Sequence, residues 1–303
     1  MRLSIKNLLR ALRAPFFVAT ATQTLVGAAV AWNEGSFYLG CFLLTALGVV
    51  LANAGTNVAN DYFDHLSGDD EGNQELTPFS GGSRVIQEGI ISPRGMLVLS
   101  FLCYGIVVAI GLYLTWARGW GVLAFGLIGV VLSFLYDAKI SYFGRGLGEL
   151  ATGILAGPVV VCGAYYVQAQ RVTPEIVWVS LPVGLLVSLI LYVNEFPDYA
   201  ADRMAGKRTI VVMLGRRRAM PGYIAIIVAV YLSILLGVLM GLLPWPTLLA
   251  FLSLPLAYKG IQGIRQFYGE TPRLIPTCAV TIKMHTATAL LFTLGYVIDK
   301  FLA

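Results

Sequence analysis

The sequence predicts an all-α fold, a polytopic membrane bundle of about nine transmembrane helices. Three observations carry this. Of 303 residues, 57% are hydrophobic and only 12% charged, with a mean hydropathy of +0.77; an ordinary soluble protein carries about 25% charged residues. Apolar runs of about 20 residues, long enough for a bilayer core of roughly 30 Å, recur along the chain. Finally, 17 of the 21 Lys and Arg fall on one set of alternating loops, the asymmetry that marks a cytoplasmic face.

In chain order the runs span about 16–33, 38–60, 95–117, 119–136, 147–168, 174–196, 219–243, 245–262 and 277–299. No soluble domain fits between them, so residues 1–303 read as a single membrane-embedded domain. Ahead of the first run, MRLSIKNLLRALRAPFF interleaves Arg2, Lys6, Arg10 and Arg13 with apolar residues, as in a helix lying on the cytoplasmic membrane surface. It lacks the short apolar region and small-residue cleavage site of a secretory signal, and is expected to be retained. The loop basics continue with Arg84, Arg94, Lys139, Arg145, Arg203, Lys207 and Arg208. Arg216, Arg217, Arg218, Lys259, Arg265 and Arg273 complete that face.

The opposite face holds Arg118, Arg171 and Lys300, with Lys283 inside the last run. The chain is therefore expected to be a multi-pass protein of the cell membrane with its N-terminus and its richer loops in the cytoplasm. Its net charge of +5 is a topology signal and gives no reason to expect nucleic acid. No obligatory protein partner is evident. Cys41, Cys103, Cys162 and Cys278 are far apart and inside apolar runs, which excludes metal-ligand spacing and disfavours a disulfide framework. His65 and His285 stand alone, and His285 reads as a packed helix residue.

The chemistry sits where the second and sixth runs end. The first of these ends is Asn57–Asp70, NVANDYFDHLSGDD, and the second is Asn194–Asp202, NEFPDYAAD. If the first helix continues, Asn57, Asp61 and Asp64 fall at i, i+4 and i+7 on one face. If the second persists through Pro197, Asn194, Asp198 and Asp202 fall at i, i+4 and i+8. Both stretches open N-x-x-x-D-Y. Carboxylates are costly at a membrane edge and contribute little to topology, so the two acidic clusters read as halves of one cation site.

Hard oxygen ligands suit Mg2+, which binds through a few carboxylates plus substrate phosphates. Three loops, 61–94, 137–148 and 198–218, reach the same mouth. The first contains Gly81, Gly82 and Arg84, the kind of long segment that can cover a site. Arg84, Lys139, Arg145, Lys207 and Arg208 are candidates to hold phosphate oxygens, although topology alone would also demand such residues. Arg216, Arg217 and Arg218 are accounted for by topology.

The motifs NDYFD (Asn60–Asp64), YDAK (Tyr136–Lys139) and DYAAD (Asp198–Asp202) resemble the UbiA superfamily of intramembrane aromatic prenyltransferases. The resemblance covers nearly the whole chain. More locally, Asn57–Asp70, YFGRGLGEL (Tyr142–Leu150) and DRMAGKRTIVVMLG (Asp202–Gly215) are similar to the menaquinone branch, the 1,4-dihydroxy-2-naphthoate prenyltransferases. The resemblance implies a magnesium-dependent transfer of an isoprenyl group from a prenyl diphosphate donor to an aromatic acceptor. It implies catalytic roles for Asp61, Asp64, Asp198 and Asp202. Metal ligands would come from Asn60, Asp61, Asp64, Asp69, Asp198 and Asp202. Substrate contacts would come from Asn57, Asn60, Arg84, Lys139, Arg145, Lys207 and Arg208. One departure stands out: Gly68 occupies a position where many relatives carry a further aspartate, with Asp69 or Asp70 standing in.

Other classes fit less well. A secondary transporter or cation channel wants its acidic residues near the midplane, whereas both clusters lie at one surface. A phosphotransferase using a CDP-alcohol carries a compact D-x-x-D-G motif that is absent here. Within the superfamily, geranylgeranylglyceryl phosphate, 4-hydroxybenzoate, haem and chlorophyllide remain alternative acceptors.

Overall fold

The computed structural model describes residues 4–72, 77, 81–135 and 146–302. Eight helical stretches are long and apolar enough to cross a membrane, and Gly121–Ser133 is a shorter apolar helix beside them. The protein is thus an α-helical, polytopic membrane protein, in line with the nine apolar runs.

A short helix α1 (Ile5–Ala11) is capped by Ser4, whose Oγ accepts from Asn7 N at 3.2 Å. Arg13 then turns the chain in the left-handed region (φ 49°) into a 3-10 turn and the first span, α2 (Phe17–Asn33). Next come α3 (Leu39–Ser67), α4 (Asp69–Gly72), α5 (Pro93–Arg118) and α6 (Gly121–Leu135). The fifth run forms one span built of α7 (Leu147–Ile154), a π-turn over Leu155–Val159 and α8 (Val160–Ala169). Pro158 explains the break: it has no N–H for the helical ladder, and a wider turn absorbs the mismatch.

The longest spans follow. Helix α9 (Pro174–Ala205) starts with Thr173 accepting from Ile176 N at 3.3 Å and Pro174 in the first turn, a favoured helix entry. Then come the short α10 (Ile210–Leu214) and α11 (Arg216–Leu239). The eighth run also departs from one regular helix. Around Pro244 and Pro246 it opens as a 3-10 segment, Trp245–Ser253, before α12 (Leu254–Phe267). Helix α13 (Thr271–Leu302) closes the bundle.

Helix α9 does survive Pro197. That proline offers no N–H to Val193 O, and the Cys278 thiol lies 3.9 Å from this carbonyl instead. Arg216 Nε donates to Phe196 O at 2.8 Å, its Nη2 reaches Pro197 O at 3.4 Å, and its guanidinium lies over the Tyr199 ring. Arg216 is therefore more than a topology marker, because it satisfies carbonyls beside the proline.

With 29 and 32 residues, α3 and α9 measure roughly 44 and 48 Å at 1.5 Å per residue. Both exceed the bilayer core of about 30 Å, so their acidic ends can project past the apolar slab. The main core is built on α9, where Val179, Leu186, Leu189 and Val193 pack with Val30 of α2 and Phe292 of α13. Between membrane helices, tight packing rather than hydrophobicity supplies the attraction. Here glycines bring α9 against the span before it. A Cβ on Gly157 would sit 2.4 Å from Ser180 O, and one on Gly184 would sit 2.4 Å from Gly153 O. Helices α5 and α6 are peripheral and expose Phe101, Ile106, Leu112 and Leu127.

Candidate active site

A cavity of about 530 Å³ separates the α3–α5–α6 wall from α2, α7–α8 and α9. Along α3 its lining runs from Thr45 to Asp64, roughly 28 Å of helix. The end near Thr45 is apolar and closed by the buried cluster of Leu114, Val122 and Val167. Arg118 seals that end by donating to Val167 O (2.7 Å) and Gln168 O (2.6 Å). The other end is where the carboxylates gather.

Two helix ends of the same design build it. Helix α3 stops at Gly68 (φ 76°) and α9 at Gly206 (φ 79°), both in the left-handed conformation that glycine tolerates. Each turn folds the next residue back over the mouth: Asp69 after α3, Lys207 after α9. Lys207 N donates to Asp202 O at 2.9 Å. Its Nζ then lies 2.6 Å from Asp69 Oδ2, 2.9 Å from Asp64 Oδ1 and 3.6 Å from Asp202 Oδ1. One ammonium, about a tenth exposed, joins both acidic stretches.

On α3 the cavity-facing residues are Asn53, Asn57, Asn60 and Asp64, a run of i, i+4, i+7 and i+11. Asp61 is not among them. It turns toward the segment at Ser83, whose N–H donates to Asp61 Oδ2 at 3.2 Å and whose hydroxyl donates to the same carboxylate. Arg13 pairs with Asp61 from the other side and reaches Asn60 Oδ1 at 3.2 Å. Burial works against the charge on Arg13, but Asp61 outweighs it and raises the guanidinium pKa above its ordinary value.

On α9 the facing residues are Asn194, Glu195, Asp198 and Asp202. Asp69 and Asp70 complete the rim, and Arg84 donates to the Asp70 carbonyl. Burial, then the charges of Asp64 and Asp61, push the Asp70 carboxyl up to about 7. Its Oδ2 is buried and has no hydrogen-bond partner among the described residues.

The structure therefore brings Asn57, Asn60, Asp64, Asp69, Asp198, Asp202 and Lys207 to one cavity. Lys207 was expected to hold phosphate; here it neutralises carboxylates. Arg208 is exposed and does not line the cavity. Lys139 and Arg145, with the Tyr136–Lys139 motif, lie outside the described residues. The sequence reading missed Arg13, Ser83 and Glu195 as residues of the site, and named Asp70 only as an alternative to Asp69. Asn53 preceding Asn57 by one helical turn, and Glu195 one turn before Asp198 and two before Asp202, were signals in the sequence that could have pointed to the cavity.

Among the described residues, no three His, Cys, Asp or Glu side chains are gathered tightly enough to hold an ion unaided. The donor set nevertheless fits a hard divalent cation. The carboxylates and side-chain amides offer oxygens, three of the carboxylates already surround a positive charge, and among the described residues Asp70 Oδ2 lacks a partner.

Comparison with known proteins gives a consistent picture. Residues 21–296 match the model of the UbiA prenyltransferase family. The chain is 26% identical to a 1,4-dihydroxy-2-naphthoate octaprenyltransferase of Bacillus subtilis, with 93% of this chain and 89% of that protein covered. It is 28% identical to a 2-carboxy-1,4-naphthoquinone phytyltransferase of Synechocystis, covering 95% and 92%. The fold resembles a UbiA homolog from Archaeoglobus fulgidus solved bound to GPP and Mg2+, with TM-score 0.64, 15% identity and coverage of 94% and 99%.

Proposed function

The chain belongs to the UbiA prenyltransferase family and is a prenyltransferase, and from that premise we propose its reaction: transfer of an isoprenyl group from a prenyl diphosphate to 1,4-dihydroxy-2-naphthoate. The protein would work as a single domain of the cell membrane, with the carboxylate mouth facing the cytoplasm. The observation that carries this reading is the convergence of two acidic helix ends on one cation at the mouth of an apolar cavity.

Asp64, Asp69, Asp198 and Asp202 are the residues that would hold magnesium, with Asp70 and Asn60 beside them. When bound, magnesium supplies charge to stabilise the leaving diphosphate. Lys207 and Arg13, both cationic and lining the cavity, would turn from their carboxylates to diphosphate oxygens. Asp61 holds the segment at Ser83 in position. The apolar lining below holds the prenyl chain and keeps water from an allylic centre that would otherwise be hydrolysed.

The naphthoate acceptor is favoured by the names of the bacterial and cyanobacterial relatives and by the local likeness at Tyr142–Leu150 and Asp202–Gly215. Purified protein given magnesium, geranylgeranyl diphosphate and 1,4-dihydroxy-2-naphthoate should yield a prenylated naphthol and carbon dioxide, and chelation should abolish turnover. Robust turnover of geranylgeranylglyceryl phosphate, with none of the naphthoate, would overturn the acceptor.

A further inference from the structure

A second groove, of about 460 Å³, lies away from the candidate active site, between α11 and the span that follows it, Trp245–Phe267. Its lining is entirely aliphatic and aromatic. Ile227 and Ala257 are buried at its floor, while Val228, Leu232, Leu254 and Tyr258 stand exposed along its edges. The groove therefore opens away from the bundle core, onto the hydrocarbon of the bilayer.

The helices that form it carry matched charges beyond one end. Leu254, Tyr258, Ile261 and Arg265 fall at i, i+4, i+7 and i+11 of α12, and Arg217, Val228 and Tyr231 at i, i+11 and i+14 of α11. Each helix thus carries one arginine in line with its groove-lining side chains. Two contacts set the relative height of these antiparallel helices. Arg216 Nη1 donates to Gly269 O at 3.4 Å, and a Cβ on Gly260 would sit 2.5 Å from the Tyr223 hydroxyl oxygen. Arg217 and Arg265 are accordingly level to within about one helical turn, roughly 5 Å, and Arg265 lies roughly 6 Å along α12 from Ile261.

Both arginines are exposed and, among the described residues, neither has a hydrogen bond or ion pair. Glu270, at the turn after α12, is already paired with Arg273 at 3.2 Å. Topology asks for basic residues on this side of the membrane. It does not ask for one on the groove side of each helix.

We propose that the α11–α12 groove binds an anionic phospholipid from the leaflet on the carboxylate side, with one acyl chain in the groove and the phosphate held by Arg217 and Arg265. Guanidinium forks match phosphate oxygens, and basic clusters at a membrane surface attract anionic headgroups. A zwitterionic lipid carries its own cation beside the phosphate and gains less. A second copy of this chain, packed symmetrically through the same face, would set arginines against arginines.

The test uses the full chain in nanodiscs doped with phosphatidylglycerol or phosphatidylcholine, each bearing the same photoreactive acyl chain. Phosphatidylglycerol should label the groove about tenfold more than phosphatidylcholine does, since each basic residue near the surface strengthens the attraction several-fold. Arg217→Gln combined with Arg265→Gln should abolish that preference. The charge-matched control, Arg218→Gln combined with Lys259→Gln, should keep it. Val228→Trp fills the groove from its exposed edge, leaves the charges in place, and should cut labelling by both lipids. The parent comparison and Val228→Trp decide the matter even if a double variant does not fold. Equal labelling by the two lipids, labelling spread evenly over the lipid-facing helices, or equal loss of preference in both double variants would overturn the proposal. Cross-links between copies at the groove, in place of lipid, would overturn it in favour of a subunit interface.

Discussion

Replacing Lys207 with methionine keeps most of the side-chain volume and removes the charge, leaving three carboxylates converging with no cation between them. The Nζ contacts of 2.6, 2.9 and 3.6 Å are about nine-tenths shielded from solvent. Removing one partner of a buried ion pair costs about 3–5 kcal/mol, mostly because the other charge is stranded. One ammonium serves three anions here, so the upper part of that range is expected, less whatever a carboxylate recovers by taking up a proton. For a chain of this size that corresponds to a fall in Tm of about 10 °C. Thermal unfolding in detergent with a chelator present would read it. Added magnesium should restore Lys207→Met more than it raises the parent, since the cation would bind the carboxylates the lysine left. A fall of under about 2 °C in chelator, with no extra response to magnesium, would refute the argument that Lys207 holds the two helix ends together.

Asp64→Asn, Asp198→Asn and Asp202→Asn should each lower the prenyl-transfer rate about 10²-fold or more while leaving the protein folded, as loss of one preorganised charge-stabilising group does. Asp61→Asn should cost less, because Asp61 faces Ser83 and Arg13; initial rates would show equal losses in all four if Asp61 bound the metal as well. Gly157→Ala should destabilise the protein by about 1–3 kcal/mol, since the new methyl would meet Ser180 O, and unfolding in denaturant would measure it. Asp70 keeps its proton when folded up to a pH of about 7 but loses it near the ordinary 3.8 when unfolded. Stability should therefore fall as pH rises across that window, and Tm measured against pH should show a smaller fall for Asp70→Asn than for the parent.

The sequence was most informative where physics is local. Apolar length alone located the spans, and the alternation of basic loops separated the two faces. Gly68 reads in sequence only as a departure from the family motif and Gly206 as part of a longer match, yet the two decide where Asp69 and Lys207 point. Helical periodicity put Asn57, Asp61 and Asp64 within one arc, but it could not decide which edge of that arc meets the cavity. Ser83, 22 residues later, draws Asp61 aside. Arg13 was read for its charge and its place near the N-terminus, both of which topology explained. Its contact with Asp61, 48 residues away, is a tertiary fact. The breaks at Pro158 and around Pro244 and Pro246 were visible as prolines, but a proline inside a span can be absorbed, as Pro197 is, or can end the regular helix. Neighbouring carbonyl partners decide between the two, and they are not written locally.

The glycine seam between α9 and the span before it also shows where this protein can be altered by laboratory evolution. At Gly157 and Gly184 a single methyl meets main-chain atoms of the facing helix, so random libraries should return no tolerated variants there. On the opposite wall of the same cavity, Gly111 and Gly126 line the space with nothing within 4 Å of an added Cβ. Diversity aimed at that wall can reshape the room for the prenyl chain while the α7–α9 seam keeps the carboxylates in register.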